Sequence, residues 1–316
     1  MDEFGLIRRY LAPLAGPAGL DLLDDAAVMP GHPGQDLVYT KDLMIGGVHF
    51  LPDQPPGDVA KRLARVNLSD LAAMGARPFG YLLGLALPKP IDEAWLAAFT
   101  AGLRADQSLF SWSLLGGDTT AGSSQAVLSL TAIGVVDSAT ALLRRGARVG
   151  DRVYVSGVIG DGVLGLTAMT ETPDGIDGPI ASYRAPEPRL ALGQALRGVA
   201  SACVDVSDGL VADAGHIATA SDLHLSLQAA AVPLSAAGRT AVDSGATALS
   251  ALLSGGDDYE LVFTAPQDRH DAVMAASRAC GVPVTPIGTA EAGAGVAVFG
   301  ADGTALTFTT QGYRHS

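Results

Sequence analysis

Aspartate recurs in this chain beside small, turn-forming or hydroxyl residues. It does so in Leu22-Leu23-Asp24-Asp25, Thr40-Lys41-Asp42, Asn67-Leu68-Ser69-Asp70, Gly116-Gly117-Asp118-Thr119-Thr120, Gly160-Asp161-Gly162, Asp205-Val206-Ser207-Asp208-Gly209 and Gly255-Gly256-Asp257-Asp258. Carboxylates on tight turns and helix starts are the oxygen ligands from which a hard-cation site is built. Converging in space, these residues would form a magnesium cage for phosphate chemistry. Dispersed, they would be ordinary turn residues, because Asp and Gly favour turns for local reasons. The residues alone leave both readings open.

Each motif has a functional and a structural reading. Gly160-Asp161-Gly162-Val163-Leu164-Gly165 fits G-x-G-x-x-G, but a dinucleotide unit needs a return to a parallel strand with an acidic residue at its end. Here a Pro/Gly-rich stretch follows, which favours a packing turn, although a helix N-terminus there could still face a phosphate. Gly116-Gly117 would let the backbone approach a ligand closely, with Asp118 aimed outward. Asp205 and Asp208 stand three apart around a helix start, where they can share one cation or where Ser207 or Asp208 simply caps the helix. Asn67 and Asp70 share a helix face inside an apolar run, so burial and pairing compete with a solvated face. His49, alone, is more often structural than catalytic. The P-loop, the protein-kinase loops and the Gly-x-Ser-x-Gly elbow are all missing.

These residues must be carried by ordered elements. A helix is expected over 3–14, a strand over 36–40, a helix over 57–74, a strand over 81–87 and a helix over 93–109. A strand over 112–115 should end at Gly116-Gly117-Asp118, with another over 126–136. The polar, glycine-punctuated stretch after Asp137 places a domain boundary near residue 140, giving units 1–140 and 141–316. Beyond it come a strand over 152–156, a helix over 163–169, a long loop over 172–188, helices over 189–200 and 209–221 and a strand over 224–228. Helical stretches across 235–253, a strand over 259–264, a helix over 267–280 and short strands complete the chain.

Composition narrows the class. With 316 residues, 48% hydrophobic and 17% charged, the chain can bury a large core. Its 39 glycines and 5% aromatics favour a turn-rich α/β protein. A net charge of −13 argues against nucleic-acid and anionic-membrane partners, which need clustered Lys and Arg. It does not exclude ATP held as a metal complex, since the ion offsets repulsion between carboxylates and phosphates. Cys203 and Cys280 form no disulfide framework. No signal peptide or membrane-length apolar run is visible, so a cytoplasmic protein is expected.

Four segments in this order carry a resemblance: Asn67-Leu-Ser-Asp-Leu-Ala-Ala-Met-Gly-Ala76, Gly116-Gly-Asp-Thr-Thr120, Asp205-Val-Ser-Asp-Gly-Leu210 and Ser254-Gly-Gly-Asp-Asp-Tyr-Glu-Leu261, with Gly47-Val-His-Phe50 upstream. Over nearly its whole length the chain resembles the thiamine-monophosphate kinases. These belong to the superfamily of aminoimidazole ribonucleotide synthetase, selenophosphate synthetase and the hydrogenase maturation dehydratase. The resemblance implies a two-domain α/β (α+β) fold of the aminoimidazole ribonucleotide synthetase type, whose N-terminal domains pair into a β-barrel across a homodimer. It implies ATP and Mg2+-dependent phosphorylation of thiamine phosphate by direct in-line transfer, with no protein nucleophile or base. By position it implies Asp25, Thr40, Lys41, Asp42, Asp70, Asp118, Asp205 and Asp208 as metal ligands. Gly117, Asp118, Arg144 and Ser207 match ATP contacts, and His49, Asp257 and Thr310 match substrate contacts. Leu23, Lys41, Asp257 and Thr310 depart from the usual family residues, and Phe308 or Tyr313 would stand in for the aromatic at Thr310. The alternatives are another superfamily activity, such as aminoimidazole ribonucleotide synthesis, or a non-catalytic nucleotide- or metal-binding dimer. Selenophosphate synthesis would want a reactive Cys near the N-terminus, and the hydrogenase maturation factor a terminal Cys where this chain has Tyr313-Arg-His-Ser316.

Overall fold

A computed structural model describes residues 27–30, 33–90, 92–171, 177–309 and 312–313. The helix expected over 3–14, and the candidate site residues Asp25 and Thr310, lie outside them.

The first half builds one sheet from β1 (Ala27–Pro30), β2 (Gln35–Ile45), β3 (Arg77–Leu87), β4 (Ser113–Ala121) and β5 (Val127–Asp137), in the order β1-β2-β5-β3-β4. Helices α1 (Pro56–Ala73) and α2 (Glu93–Phe110) pack beside it. A proline in the first turn starts α1, and Asp92 caps α2 by accepting from the backbone of Ala94 and Trp95. Val59, Leu63, Leu68 and Leu71 of α1 are buried, with Leu128, Leu130 and Ala132 of β5 in the same core.

The second half builds a sheet ordered β11-β8-β10-β6-β9-β7. Its strands are β6 (Arg152–Ser156), β7 (Ala202–Asp205), β8 (His224–Gln228), β9 (Leu261–Ala265), β10 (Val284–Glu291) and β11 (Gly295–Phe299). Its helices are α3 (Asp161–Thr170), α4 (Asp177–Arg184), α5 (Leu190–Ala195), α6 (Leu210–Ser221), α7 (Ala236–Asp243), α8 (Leu249–Ser254) and α9 (His270–Cys280). Strand alternation divides the interior. Tyr154, Cys203 and Phe263 join the same hydrophobic cluster as α1 and the first sheet, whereas Val153, Val155, Val204 and Val262 join a second cluster with α6. One core therefore runs through both halves, with α1 at its centre. The approach is close where α5 meets α1: a Cβ on Gly193 would stand 1.9 Å from the carbonyl oxygen of Ala72.

Several expectations are corrected. The stretch 172–188 is not all loop, because residues 177–184 form α4, whose Pro179 and Tyr183 are buried. β2 continues through Lys41 and Asp42 to Ile45, and β4 continues through Gly116, Gly117 and Asp118 to Ala121, since both remain paired in register there. β3 begins at Arg77, and the helix expected over 189–200 spans only 190–195. β9 begins at Leu261 after a backbone that turns left-handed at Asp257 and Tyr259, while the helical stretches expected across 235–253 are present as α7 and α8.

Candidate functional site

Helix α1 connects the two halves of the site. Arg62, Val66 and Asp70 recur every fourth residue and so share one stripe. Asp70 accepts a hydrogen bond from the hydroxyl of Thr40 on β2. Its neighbour Ser69, fully buried, donates to Asp205 Oδ2 at 2.7 Å, at the end of β7. Thr40, Asp70, Ser69 and Asp205, far apart in sequence, are thus joined through one turn of helix.

Two glycine-punctuated segments make the facing wall. The nitrogen of Asp257 donates to the carbonyl of Ser207, and that of Tyr259 to the carbonyl of Val206, each at 2.8 Å. Gly256 makes this approach possible: its φ is +79°, and a Cβ would stand 2.3 Å from the Ser207 carbonyl oxygen. The consecutive aspartates then diverge. Asp257 turns to Arg62 on α1, with Nη2 2.5 Å from Oδ1. Asp258 turns the other way and accepts from Gly160 N at 2.9 Å and Gly162 N at 3.0 Å. The start of α3, open to a phosphate on sequence grounds, is filled by the protein's own carboxylate.

Between these walls lies a cavity of about 270 Å³. Asp42, His49, Ser207, Asp208, Asp257 and Tyr313 are among its lining residues. Tyr313 is held there by its backbone, which donates to the carbonyl of Asp208 at 3.0 Å. Phe308 packs instead against the second-half core, whereas Tyr313 lines the cavity together with Tyr183 and Tyr259. His49 Nδ1 accepts from the backbone nitrogen of Ile45 at 3.1 Å, which in the neutral ring leaves Nε2 as the N–H donor.

Other sequence-derived candidates lie elsewhere. Lys41 faces away from Asp42 along β2 and its ammonium donates to Ser129 Oγ. Asp118 pairs with Gly84, which pairs with Ser129, placing Asp118 in the exposed row of Leu43 rather than on the face of Asp42. Gly117 precedes it, its backbone packed so closely on β3 that a Cβ would stand 1.8 Å from the Leu83 oxygen. The Arg144 carbonyl accepts from Ser221 Oγ, and its charge favours the ionised form of Asp213.

Electrostatics separate the carboxylates. Burial pushes Asp42 up to about 6, with Lys41 pulling the other way. Its Oδ2 is buried and has no hydrogen-bond partner among the described residues. Such an oxygen is costly unless a cation or donor meets it, and with Asp208 beside the same cavity the all-oxygen donor set suits a hard divalent cation. Burial works against the charge on Arg62, but the facing Asp257 more than restores it and keeps the guanidinium protonated. Burial, then Asp208 and Asp205, raise Asp213 well above the usual carboxylate range.

Sequence reasoning missed Arg62, Tyr183, Tyr259 and Asp213. Arg62 was detectable eight residues before Asp70 on the same helical stripe, and Tyr259 inside the Gly-Gly-Asp-Asp-Tyr segment. Asp213, in the first turn of α6, accepts from the backbone nitrogens of Asp208 and Gly209 at 3.0 Å. With Asp208 and His216 it forms a group whose ligand atoms all lie within 4.8 Å of one another. Tyr183 had no local signal, because its helix follows a stretch rich in proline and glycine.

Two family models match: AIR synthase related protein, N-terminal domain, over residues 23–136, and its C-terminal domain over residues 148–301. The chain is 46% identical over 303 residues to the thiamine-monophosphate kinase of Caulobacter vibrioides, covering 94% of this chain and 86% of that one. It is 40% identical over 321 residues to that of Escherichia coli, covering 99% and 98%. A solved structure described as AaThiL complexed with AMPPCP and TMP superposes with a TM-score of 0.88 at 29% identity, covering 100% of this chain and 97% of that one. With the aspartate-bearing cavity between its two α/β halves, the chain belongs to the thiamine-monophosphate kinase family of AIR synthase related proteins.

Proposed function

We propose that the protein transfers the γ-phosphoryl group of ATP to the phosphate of thiamine phosphate, giving thiamine diphosphate and ADP. The observation that carries this reading is one cavity lined by Asp42, His49, Ser207, Asp208 and Asp257, with a buried Asp42 oxygen that has no partner among the described residues. The relatives' name and the ATP analogue and TMP in the AaThiL complex support it.

The chemistry suits a site without a base. The acceptor is itself a phosphate, whose second pKa near 6 leaves it mostly dianionic at neutral pH. One of its oxygens attacks the γ-phosphorus in line while the bond to the β–γ bridging oxygen breaks, and ADP leaves with that electron pair. Bound Mg2+ would supply charge neutralisation to both polyanions. Asp42, Asp70, Asp205 and Asp208 are the proposed ligands, with Thr40, the Lys41 backbone, Asp25 and Asp118 added from the family pattern. Gly117, Asp118, Arg144 and Ser207 are proposed for ATP, and His49, Asp257 and Thr310 for the acceptor, with Tyr313 supplying the aromatic surface.

A homodimer formed through the first sheet is part of this proposal. β4 is an edge strand, and Leu43, Leu82, Leu114 and Leu115 around it are each more than two-fifths exposed. An open edge with an apolar surface is a pairing site, and Gly117 and Asp118 lie on that strand. Among the described residues no helix is long and apolar enough to cross a membrane, in keeping with a proposed cytoplasmic location.

ADP release measured with and without Mg2+ and thiamine phosphate tests the assignment. Release that requires both is expected. Release indifferent to thiamine phosphate refutes the acceptor.

A further inference from the structure

Arg62 is a buried cation that the phosphoryl-transfer chemistry above leaves without a task. Its side chain is 5% exposed, while that of Asp257 is 29% exposed and lines the cavity. Three contacts fix the guanidinium. Nη1 donates to the Tyr183 carbonyl, Nη2 to Asp257 Oδ1, and Cζ lies 4.1 Å from the centre of the Tyr183 ring. The Tyr259 hydroxyl donates to the same Oδ1 at 3.0 Å. Asp257 and Tyr259 hold φ values of +64° and +52°, a conformation non-glycine residues rarely adopt, and both are clamped to the Val206-Ser207 backbone. Oδ1 is therefore saturated, and Oδ2 takes no hydrogen bond from any described residue.

We propose that Arg62 is a positioning residue for the acceptor: with Tyr259 it occupies one oxygen of Asp257 and presents the other to the cavity, to accept from the amino group of a heteroaromatic ring. This rests on the proposed reaction, in which the acceptor carries an aminopyrimidine. Pairing with Arg62 also sets Asp257 apart from the carboxylates available to metal. An Arg-neutralised carboxylate is a poor competitor for Mg2+, whereas Asp42 faces no arginine in the described contacts and has an unpartnered oxygen. Asp257 thus reads the ring end of the acceptor while the other aspartates serve its phosphate end.

Steady-state kinetics of Arg62→Lys, Arg62→Met and Tyr259→Phe, with each substrate varied in turn, test this. The wild type must first show thiamine phosphate-dependent ADP release. If it does not, the reaction assignment has failed before Arg62 is tested. Given that activity, Arg62→Met should raise the KM for thiamine phosphate by about 10- to 100-fold, with the KM for ATP and the Mg2+ activation curve changed by less than about 2-fold. Arg62→Lys should recover most of the loss, because an ammonium still pairs with Oδ1, and Tyr259→Phe should raise the same KM by roughly 3- to 10-fold. With an acceptor analogue lacking the pyrimidine amino group, the difference between Arg62→Met and wild type should disappear. Parallel rises in both KM values, or an Arg62→Met effect undiminished with the analogue, would overturn the proposal. If Arg62→Met does not fold, Tyr259→Phe decides: an unchanged KM for thiamine phosphate refutes the role.

Discussion

Replacing Asp42 with asparagine should make the metal-free protein more stable and the enzyme inactive. Burial raises Asp42 from 3.8 to about 6, so the folded protein holds this proton more tightly than the unfolded chain does. The sign follows from linkage. Stability associated with the protonated form is fully present below about pH 4, is lost as pH rises towards 6, and is constant above that. At about 1.36 kcal/mol per pKa unit, the ionised carboxylate costs at most about 3 kcal/mol at neutral pH, and some solvent access brings this to roughly 1–3 kcal/mol. Asp42→Asn removes that charge and should melt several degrees higher than wild type at pH 7.5 without metal. The two should converge near pH 4. Magnesium should reverse the order, because the proposed cation would meet the ionised Oδ2. At pH 5 only about a tenth of Asp42 is ionised, so Mg2+ affinity through this ligand should be roughly 10-fold weaker than at pH 7. Thermal melts from pH 4 to 8, with and without Mg2+, read both effects. Asp42→Asn melting below wild type at pH 7.5 in chelator, or wild-type melts with the same pH profile as the variant, would refute the reasoning.

Four further outcomes are expected. Asp118→Asn and Asp208→Asn should each lower Mg2+-dependent turnover by at least about 100-fold while circular dichroism stays native, and near-normal turnover in either removes its metal role. Asp258→Ala should expose the nitrogens of Gly160 and Gly162 and cost about 1–3 kcal/mol in denaturant melts, leaving the KM for thiamine phosphate within about 2-fold. Gly193→Ala should lose about 2–4 kcal/mol, because its methyl would meet the Ala72 backbone, which cannot turn aside as a side chain can. Leu114→Glu should shift the protein towards monomer in sedimentation velocity, and an unchanged dimer would place the contact elsewhere than β4.

Much of the fold was legible because the signals were local. α1 and α2 follow from helical spacing, β6 from the short apolar run Val153-Tyr154-Val155 and β8 from the alternation of His224–Gln228. Elements were misjudged where tertiary contact overrides local preference. Proline and glycine marked 172–188 as loop, yet α4 forms because Tyr183 is buried against Arg62. The paired glycines suggested that β4 ends at Gly116, yet pairing with β3 carries it to Ala121, and the missing Cβ of Gly117 permits that pairing.

The same division holds for the site. Sequence by itself determined which residue types were available for phosphate and cation chemistry, the glycines that let two backbones touch, and the family to which those segments point. It could not say which way each carboxylate turns. Asp257 and Asp258 are neighbours with the same side chain, yet one meets a guanidinium at the cavity and the other closes the start of a helix. Asp42 and Asp118 both lie on strands of one sheet, yet register puts them on opposite faces. Those outcomes depend on strand parity, on left-handed backbone held by distant hydrogen bonds, and on a helix that brings Arg62 and Asp70 to different partners. All are long-range geometric facts that arise only when the chain has packed.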